Sequence, residues 1–393
     1  MSPSVSDVLD TPHFREGLGG LAAKHELPLA TVEDRARRAL EAMWTRHDPW
    51  ASGLWRRFGH LVSKRYALEV DEEGLHQVAE LDRRHPLVLL FSHRSYLDTW
   101  LLRDAVDRAG LAPIIALAGA NLSFWPMGAV IRRTGGLFIR RDAKDDDVYR
   151  YALRGYMRYL LETQQNLGWS IEGGRTRTGK LRPPRFGALS YVVDSLRSST
   201  GPEVYIIPVS VVYDQLGEVA TLAGEALGGR KRPEDLRWLM EFSATQARVG
   251  GTARVDFGEP LPLREHILAL EADPKRRPVL VERVALETCH RINRVTPPTA
   301  SAVVTLALLG AGRALTLEEI TATVDPLLEH LLRPPHPPLM GVDPSAAPTE
   351  WIHESLEQLL AAGVVERFDG GESAVYYIAP NQHLVAAFYR NTL

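Results

Sequence analysis

The chain has 393 residues, 45% hydrophobic and 24% charged, with a formal net charge of −3. That is ordinary globular composition, long enough for more than one domain and too evenly charged to favour a polyanionic partner such as nucleic acid. Its one cysteine, Cys289, excludes an intrachain disulfide framework and suits a reducing compartment, and no C-x-x-C or H-E-x-x-H pattern suggests a metal.

The average hides an uneven distribution. Ile131 to Arg185 carries 13 Lys or Arg against 6 Asp or Glu, whereas Ser301 to Leu393 has 4 Arg, no Lys and 11 acidic residues. An anion-binding middle and an acidic end are expected. The first residues, MSPSVSDVLDTPHF, lack the basic and apolar regions of a secretory signal.

The region before about Asp71 is helical in pattern. Thr31-x-x-Asp34 opens a run with Ala39, Met43 and Trp44 on one apolar stripe, and Trp50, Leu54, Trp55, Phe58, Leu61 and Val62 continue in a second helix. The expectation is a helical layer packed on the core. A basic and aromatic face with Trp50, Trp55, Arg56, Arg57 and Lys64 would also suit a membrane interface.

From Leu81 to Pro262, β-rich runs alternate with helical stretches. Candidate strands are Leu87–Phe91, Ile114–Ala118, Gly136–Ile139, Gly168–Ile171, Val204–Tyr213 and Ala253–Phe257. Thr99–Arg108, Val148–Gln164, Ala188–Leu196 and Glu234–Ala247 read as helices between them. The expected fold class is α/β: a mixed, largely buried β-sheet flanked by helices, with an N-terminal helical region and a small C-terminal module. Ligand-handling residues in such folds gather where strands end.

His93 and Asp98 stand at the first such place, in FSHRSYLD. A carboxylate-held histidine can take a proton from a hydroxyl. On a regular helix, five residues turn about 500°, leaving the two side chains roughly 140° apart, so they meet only if the chain bends between them. The same residues also read as structure, since Ser95-x-x-Asp98 before an apolar run resembles a helix cap.

Pro113 to Ile131 has no charge and nearly the length of a membrane span. Its Pro126, Gly119, Gly128 and Asn121, after the strand-like PIIALA, favour a buried strand and an apolar loop. Next, GGLFIRR places Arg140 and Arg141 after a short strand, and arginine suits bidentate phosphate recognition. EGGRTRTGK, Glu172 to Lys180, follows a strand with permissive glycines and three cations, and it is not a P-loop because Leu181 follows Lys180. Pro208 within IIPVS indicates a strand edge or bulge.

After Pro262 the chain reads as helical, then breaks at the Pro-rich stretch Arg333 to Pro348. Thr316-Leu-Glu-Glu319 caps one helix, Trp351 to Ala362 forms another, and VVERFDGGESAVYYI folds as a hairpin turning at Asp369-Gly370-Gly371. That order suggests a winged-helix-like α+β module whose acidity makes phosphate binding implausible. The resulting divisions are 1–80 (helical), 81–265 (α/β), 266–300 (helical connector) and 301–393 (winged-helix-like).

HRSYLD, GGLFIRR, IEGGRTRTGKL and IIPVSVVYD, in this order and with similar gaps, resemble the four motifs of the glycerolipid acyltransferase superfamily. NLSFWPMGAVIRRTGGLFIRR and EGGRTRTGKL look most like bacterial glycerol-3-phosphate 1-O-acyltransferases of the PlsB type. The resemblance implies a peripheral enzyme on the cytoplasmic face of the cell membrane. It would move an acyl group from acyl-CoA or acyl carrier protein to glycerol-3-phosphate, with no cofactor and no metal. It implies His93 as general base, Asp98 as its partner, and Arg140, Arg141, Glu172, Gly173, Arg175, Arg177 and Lys180 around the substrate. Dihydroxyacetone phosphate or lysophosphatidate as acceptor, a Ser95 nucleophile, and a non-catalytic lipid- or phosphate-binding scaffold are the alternatives. Ser170 and Thr176 depart mildly from the family pattern. Family members usually carry longer terminal regions, so a short relative or a piece of a longer protein is expected, ending at AAFYRNTL in the start of a helix.

Overall fold

Five consecutive apolar residues, Leu87–Phe91, form a strand buried on both faces, and the rest of the chain is layered on either side of it. The computed structural model describes residues 4–393 except 120–121, 141–142, 199–200, 230–233, 247–249, 332, 334–336 and 344, and only the backbone at 144. Helices α1 (Val5–Leu9), α2 (Pro12–His25), α3 (Leu29–Met43) and α4 (Pro49–Ser63) lead to β1 (Tyr66–Val70) and α5 (Glu72–Asp82). Alternation follows: β2 (Leu87–Phe91), α6 (Asp98–Arg108), β3 (Ile114–Gly119), α7 (Met127–Arg133), β4 (Gly136–Ile139), α8 (Asp147–Glu162), β5 (Asn166–Ser170) and α9 (Gly187–Arg197). Then come β6 (Tyr205–Tyr213), α10 (Val219–Ala226), α11 (Leu236–Gln246), β7 (Gly251–Phe257) and β8 (Leu261–Pro262). The remainder is α12 (Leu263–Glu271), α13 (Leu280–Val295), α14 (Ala300–Ala311), α15 (Leu317–Leu331), α16 (Pro348–Ala361), β9 (Glu366–Phe368), β10 (Val375–Tyr377) and α17 (His383–Arg390).

The sheet order is β1-β7-β6-β2-β5-β3-β4, with β8 beside β6. Strands β2 to β6 run parallel, and β7 and β8 are antiparallel to β6, so the sheet is mixed as expected. Sheets covered on both faces read as continuous apolar runs, which is why β2 shows no alternation. Leu87, Leu89 and Phe91 join a core with α5, α6 and the C-terminal helices, while Val88 and Leu90 join one with α3, α8, α9 and α13. Because β2, β4, β5 and β6 are parallel, the loops after all four open at one edge of the sheet.

Several expectations need correction. Helix α3 begins at Leu29, upstream of Thr31, because the chain already turns at Pro28, whose carbonyl accepts the Thr31 amide at 2.9 Å. Trp44 lies just past that helix and stacks on Tyr156 at 4.7 Å. The segment before Asp71 is not all helical. Tyr66–Val70 pairs with β7 at the sheet edge, and with only Tyr66 fully buried its pattern gave little signal. Pro113 to Ile131 is divided between β3 and α7 as far as it is described, and Asn121 lies outside the described residues. Among the described residues no helix is long and apolar enough to cross a membrane.

At the C-terminal end, Thr316 and Glu319 form the expected reciprocal cap, amide to side chain at 2.9 and 3.2 Å. The hairpin pairs Phe368 with Val375, so its loop spans 369–374 and is longer than a turn at Asp369–Gly371. An antiparallel bridge from Leu315 to Tyr376 adds the third short rung of a winged-helix-like module. AAFYRNTL closes α17 and does not begin a helix.

Helix α4 approaches α6 closely at Gly59, where an added Cβ would lie 2.5 Å from Cδ1 of Trp100. Gly59→Val is therefore expected to lower stability by about 1–3 kcal/mol through overpacking. An unchanged denaturation midpoint would show that the two helices can separate freely.

Candidate active site

The chain leaves β2 at Phe91, bends through Ser92 to Leu97 and enters α6 at Asp98. The bend brings His93 Nδ1 to 2.8 Å from Asp98 Oδ2. The same oxygen accepts the amides of Arg94 at 2.7 Å and Ser95 at 3.0 Å, and the other carboxylate oxygen accepts the Tyr213 hydroxyl at 2.5 Å. Asp98 is 0% exposed, so these donors replace the water it has lost. Burial, reinforced by the Asp98 charge, raises the Tyr213 phenol well above its ordinary value and keeps it a donor. The helix cap read from the sequence is displaced, since Leu97 and not Ser95 stands at the N-cap of α6, without a side-chain capping bond, and the Ser95 hydroxyl goes to Glu218; Asp98 nonetheless both closes the turn and holds the histidine. With Nδ1 engaged, Nε2 is the imidazole nitrogen left for a ligand, on a side chain 16% exposed.

Two further carboxylates tie this bend to its neighbours. Glu172, after β5, accepts the His93 amide at 2.8 Å and the Arg182 amide at 2.9 Å, and the Thr176 amide donates to the His93 carbonyl at 2.8 Å. Burial raises the Glu172 pKa, opposed by those amides and by Arg94. Glu218, after β6, accepts the Ser95 hydroxyl on one oxygen and the Arg175 guanidinium on the other. Burial raises Glu218 too, opposed chiefly by Arg175.

Arg175 also lies 3.9 Å over the Tyr96 ring and 3.9 Å from Glu225. Burial lowers its pKa, but Glu218, Tyr96 and Glu225 outweigh burial and hold it above the ordinary value. Arg94, fully enclosed, donates to Ser92 Oγ at 2.8 Å and the Val211 carbonyl at 2.7 Å.

The structure thus gathers His93, Asp98, Glu172 and Arg175. Gly173 turns the loop at φ +67°, and an added Cβ there would meet Cγ of Arg185 at 2.9 Å. Arg177 is exposed and paired with Glu225 at 3.1 Å, and Lys180 is exposed with no ion pair among the described residues. Arg140 is not part of this cluster. It follows β4, three strand spacings or roughly 14 Å from β2. There it meets Asp146 at 3.4 Å and the Tyr149 ring at 5.1 Å, beside a cleft of about 440 Å³ between α8 and α9. Arg141 lies outside the described residues.

Sequence reasoning missed Arg94, Tyr213 and Glu218. The first two lie inside motifs already singled out; Tyr213 closes the apolar run of β6, whereas Arg94 stands among polar residues and gave no signal of its burial. Glu218 sits in an unremarkable turn and gave none. Tyr213→Phe keeps the ring but leaves one Asp98 oxygen without its donor. A loss of about 1.5–3 kcal/mol is expected, as for hydrogen bonds to charged groups. A midpoint equal to wild type would show that solvent replaces the hydroxyl.

Residues 69–212 match the acyltransferase family model, and residues 222–393 match that of the glycerol-3-phosphate acyltransferase C-terminal region. The plsB1 proteins of Mycobacterium bovis and of two Mycobacterium tuberculosis strains, described as candidate acyltransferases, are each 46% identical over 388 residues, 99% of this chain. The chain spans 62% of the length of those relatives. The crystal structure of the 1-acyl-sn-glycerophosphate (LPA) acyltransferase PlsC from Thermotoga maritima matches with 17% identity and a TM-score of 0.34, over 61% of this chain and 81% of that one. Two family regions thus follow one another along the sequence, an acyltransferase region and then the C-terminal region of glycerol-3-phosphate acyltransferases, and across both the chain is similar to PlsB-type relatives.

Proposed function

We propose that the protein transfers a fatty acyl group from a thioester, acyl-CoA or acyl carrier protein, to the 1-hydroxyl of glycerol-3-phosphate, giving lysophosphatidate. The observation that carries this reading is the His93–Asp98 pair, whose Nε2 meets no hydrogen-bond partner among the described residues, beside a loop of cations. His93 takes the hydroxyl proton as the oxygen attacks the thioester carbonyl. Asp98 fixes the tautomer and stabilises the imidazolium. The tetrahedral intermediate expels the thiolate, which recovers the proton from His93. No covalent enzyme intermediate forms, and no cofactor enters the balance. Ser95 is poorly suited as a nucleophile, since it is buried with its hydroxyl on Glu218.

Within this reading the cations divide their work. Arg175 is engaged by Glu218 and Tyr96 and organises the loop, leaving Lys180 and Arg177 to meet the phosphate. Glu172 and Gly173 shape the loop. Attachment to the cytoplasmic face of the membrane, as a peripheral protein, belongs to the same proposal, because the acyl product is an amphiphile.

The deciding experiment is thiol release from palmitoyl-CoA with glycerol-3-phosphate, dihydroxyacetone phosphate or lysophosphatidate as acceptor. Turnover is expected with the first, and release with none of them would favour a binding scaffold. His93→Ala should cost about 10²–10⁴ in kcat with an unchanged melting profile, the usual worth of general-base help, and near-normal turnover would remove His93 from the mechanism. Lys180→Ala and Arg177→Ala should raise KM for glycerol-3-phosphate more than they lower kcat. A residue whose loss leaves KM unchanged does not hold the phosphate.

A further inference from the structure

Helix α4 was expected to pack against the core, and one side of it does. Trp55 lies 5.1 Å and Phe58 5.7 Å from the ring of Trp100, and Gly59 and Val62 are buried. The other side is not covered. Trp50 is 73% and Leu61 59% exposed, and Leu54, Arg57 and Lys64 are exposed as well. At 100° per residue, Trp50, Leu54, Arg57, Leu61 and Lys64 fall within an arc of about 80°. The face therefore mixes aromatic, aliphatic and cationic side chains.

Its charge is one-sided. Pro49 to Arg65 holds Arg56, Arg57, Lys64 and Arg65 and no acidic residue, in a chain whose net charge is −3. No ion pair among the described residues engages Arg57 or Lys64. Neighbouring elements extend the apolar part. Trp125, just before α7, is 84% exposed, and α11 leaves Met240 exposed while its Trp238 and Phe242 lie against Tyr96. Both α7 and α11 pack against α4.

We propose that this face of α4, flanked by Trp125 and Met240, is where the protein docks on an anionic lipid bilayer. The proposal gives a location to the membrane attachment suggested above and rests on that reading. Exposed tryptophan and leucine enter the headgroup boundary, and unpaired cations meet anionic headgroups, the composition of an interfacial helix. The placement also matters for the reaction. The opposite side of α4 holds Trp100, two residues beyond Asp98 in the first turn of α6, so the bilayer would lie one helix away from His93.

The test is co-sedimentation of the full chain with vesicles of phosphatidylcholine alone or mixed with phosphatidylglycerol. The wild type should sediment with the mixed vesicles, less with the neutral ones, and less again at high salt. Trp50→Ser combined with Leu61→Ser should weaken partitioning about tenfold. Arg57→Glu combined with Lys64→Glu should abolish the preference for phosphatidylglycerol. Both variants alter exposed positions and should keep the wild-type melting profile and the wild-type thiol release with a water-soluble short-chain acyl-CoA. If the wild type binds no vesicle, membrane attachment itself fails. If it binds and the variants bind equally well, only this face is wrong. Concentration-dependent self-association that the same substitutions abolish would assign the face to a second copy and overturn the proposal.

Discussion

A single buried carboxylate organises this molecule. A carboxylate with no access to water is tolerable only if donors surround it, and among the described residues Asp98 has four: the His93 ring, the Arg94 and Ser95 amides and the Tyr213 hydroxyl. Meeting that demand fixes much else. The chain must leave β2 and bend back so that two successive amides point inward. It must then start α6 where its first residue lies beneath them, and β6 must run beside β2 to bring Tyr213 across. The geometry that suits an acid–base pair is thus the geometry that lets the acid be buried.

Glu172 and Glu218 extend the same logic by different means. Glu172 is satisfied mostly by main-chain amides, so it fixes the path of two loops whatever side chains they carry. Glu218 is satisfied mostly by side chains, Ser95 and Arg175, with the Tyr96 amide at 3.3 Å, so it couples the histidine bend to one cation. Burial raises both carboxyls, and what opposes it is local: amides and Arg94 in one case, chiefly Arg175 in the other. Arg175 is consequently the loop's internal brace. The loop's outward charge comes from Arg177, Lys180 and Arg182, which are exposed.

The strands were legible because both faces of the sheet are covered. Leu87–Phe91 and Gly136–Ile139 carry enough apolar residues to be placed to the residue, and the others shift by one or two at their ends. Rotation showed that His93 and Asp98 can meet only if the chain bends between them, and the ordered motifs, not the spacing, pointed to their meeting. Less was available where a contact depends on distant chain. Tyr66–Val70 is a strand because β7 offers an edge to it, and no local pattern says so. Glu218 matters because Ser95 and Arg175 converge on it from two other loops. Arg140 shows the converse. The family resemblance grouped it with the cationic loop, whereas strand order separates them, since β5 and β3 stand between β2 and β4.

The winged-helix-like module is bound into this arrangement rather than appended to it. An added Cβ at Gly179, where φ is +84°, would stand 2.0 Å from the Phe388 carbonyl oxygen, so the cationic loop runs flush against α17. Asn391 donates to the Thr178 carbonyl at 2.8 Å, and the Tyr389 hydroxyl accepts the Leu216 amide at 3.2 Å. Helix α17 therefore touches both the loop that carries the cations and the turn that leads to Glu218. Its own packing is on α14, within the core that Leu89 and Phe91 also enter. Loops with this many glycines lose much conformational freedom on ordering. A helix set in the common core, meeting them through main-chain contacts, offsets that cost without using any of the loop's cationic side chains.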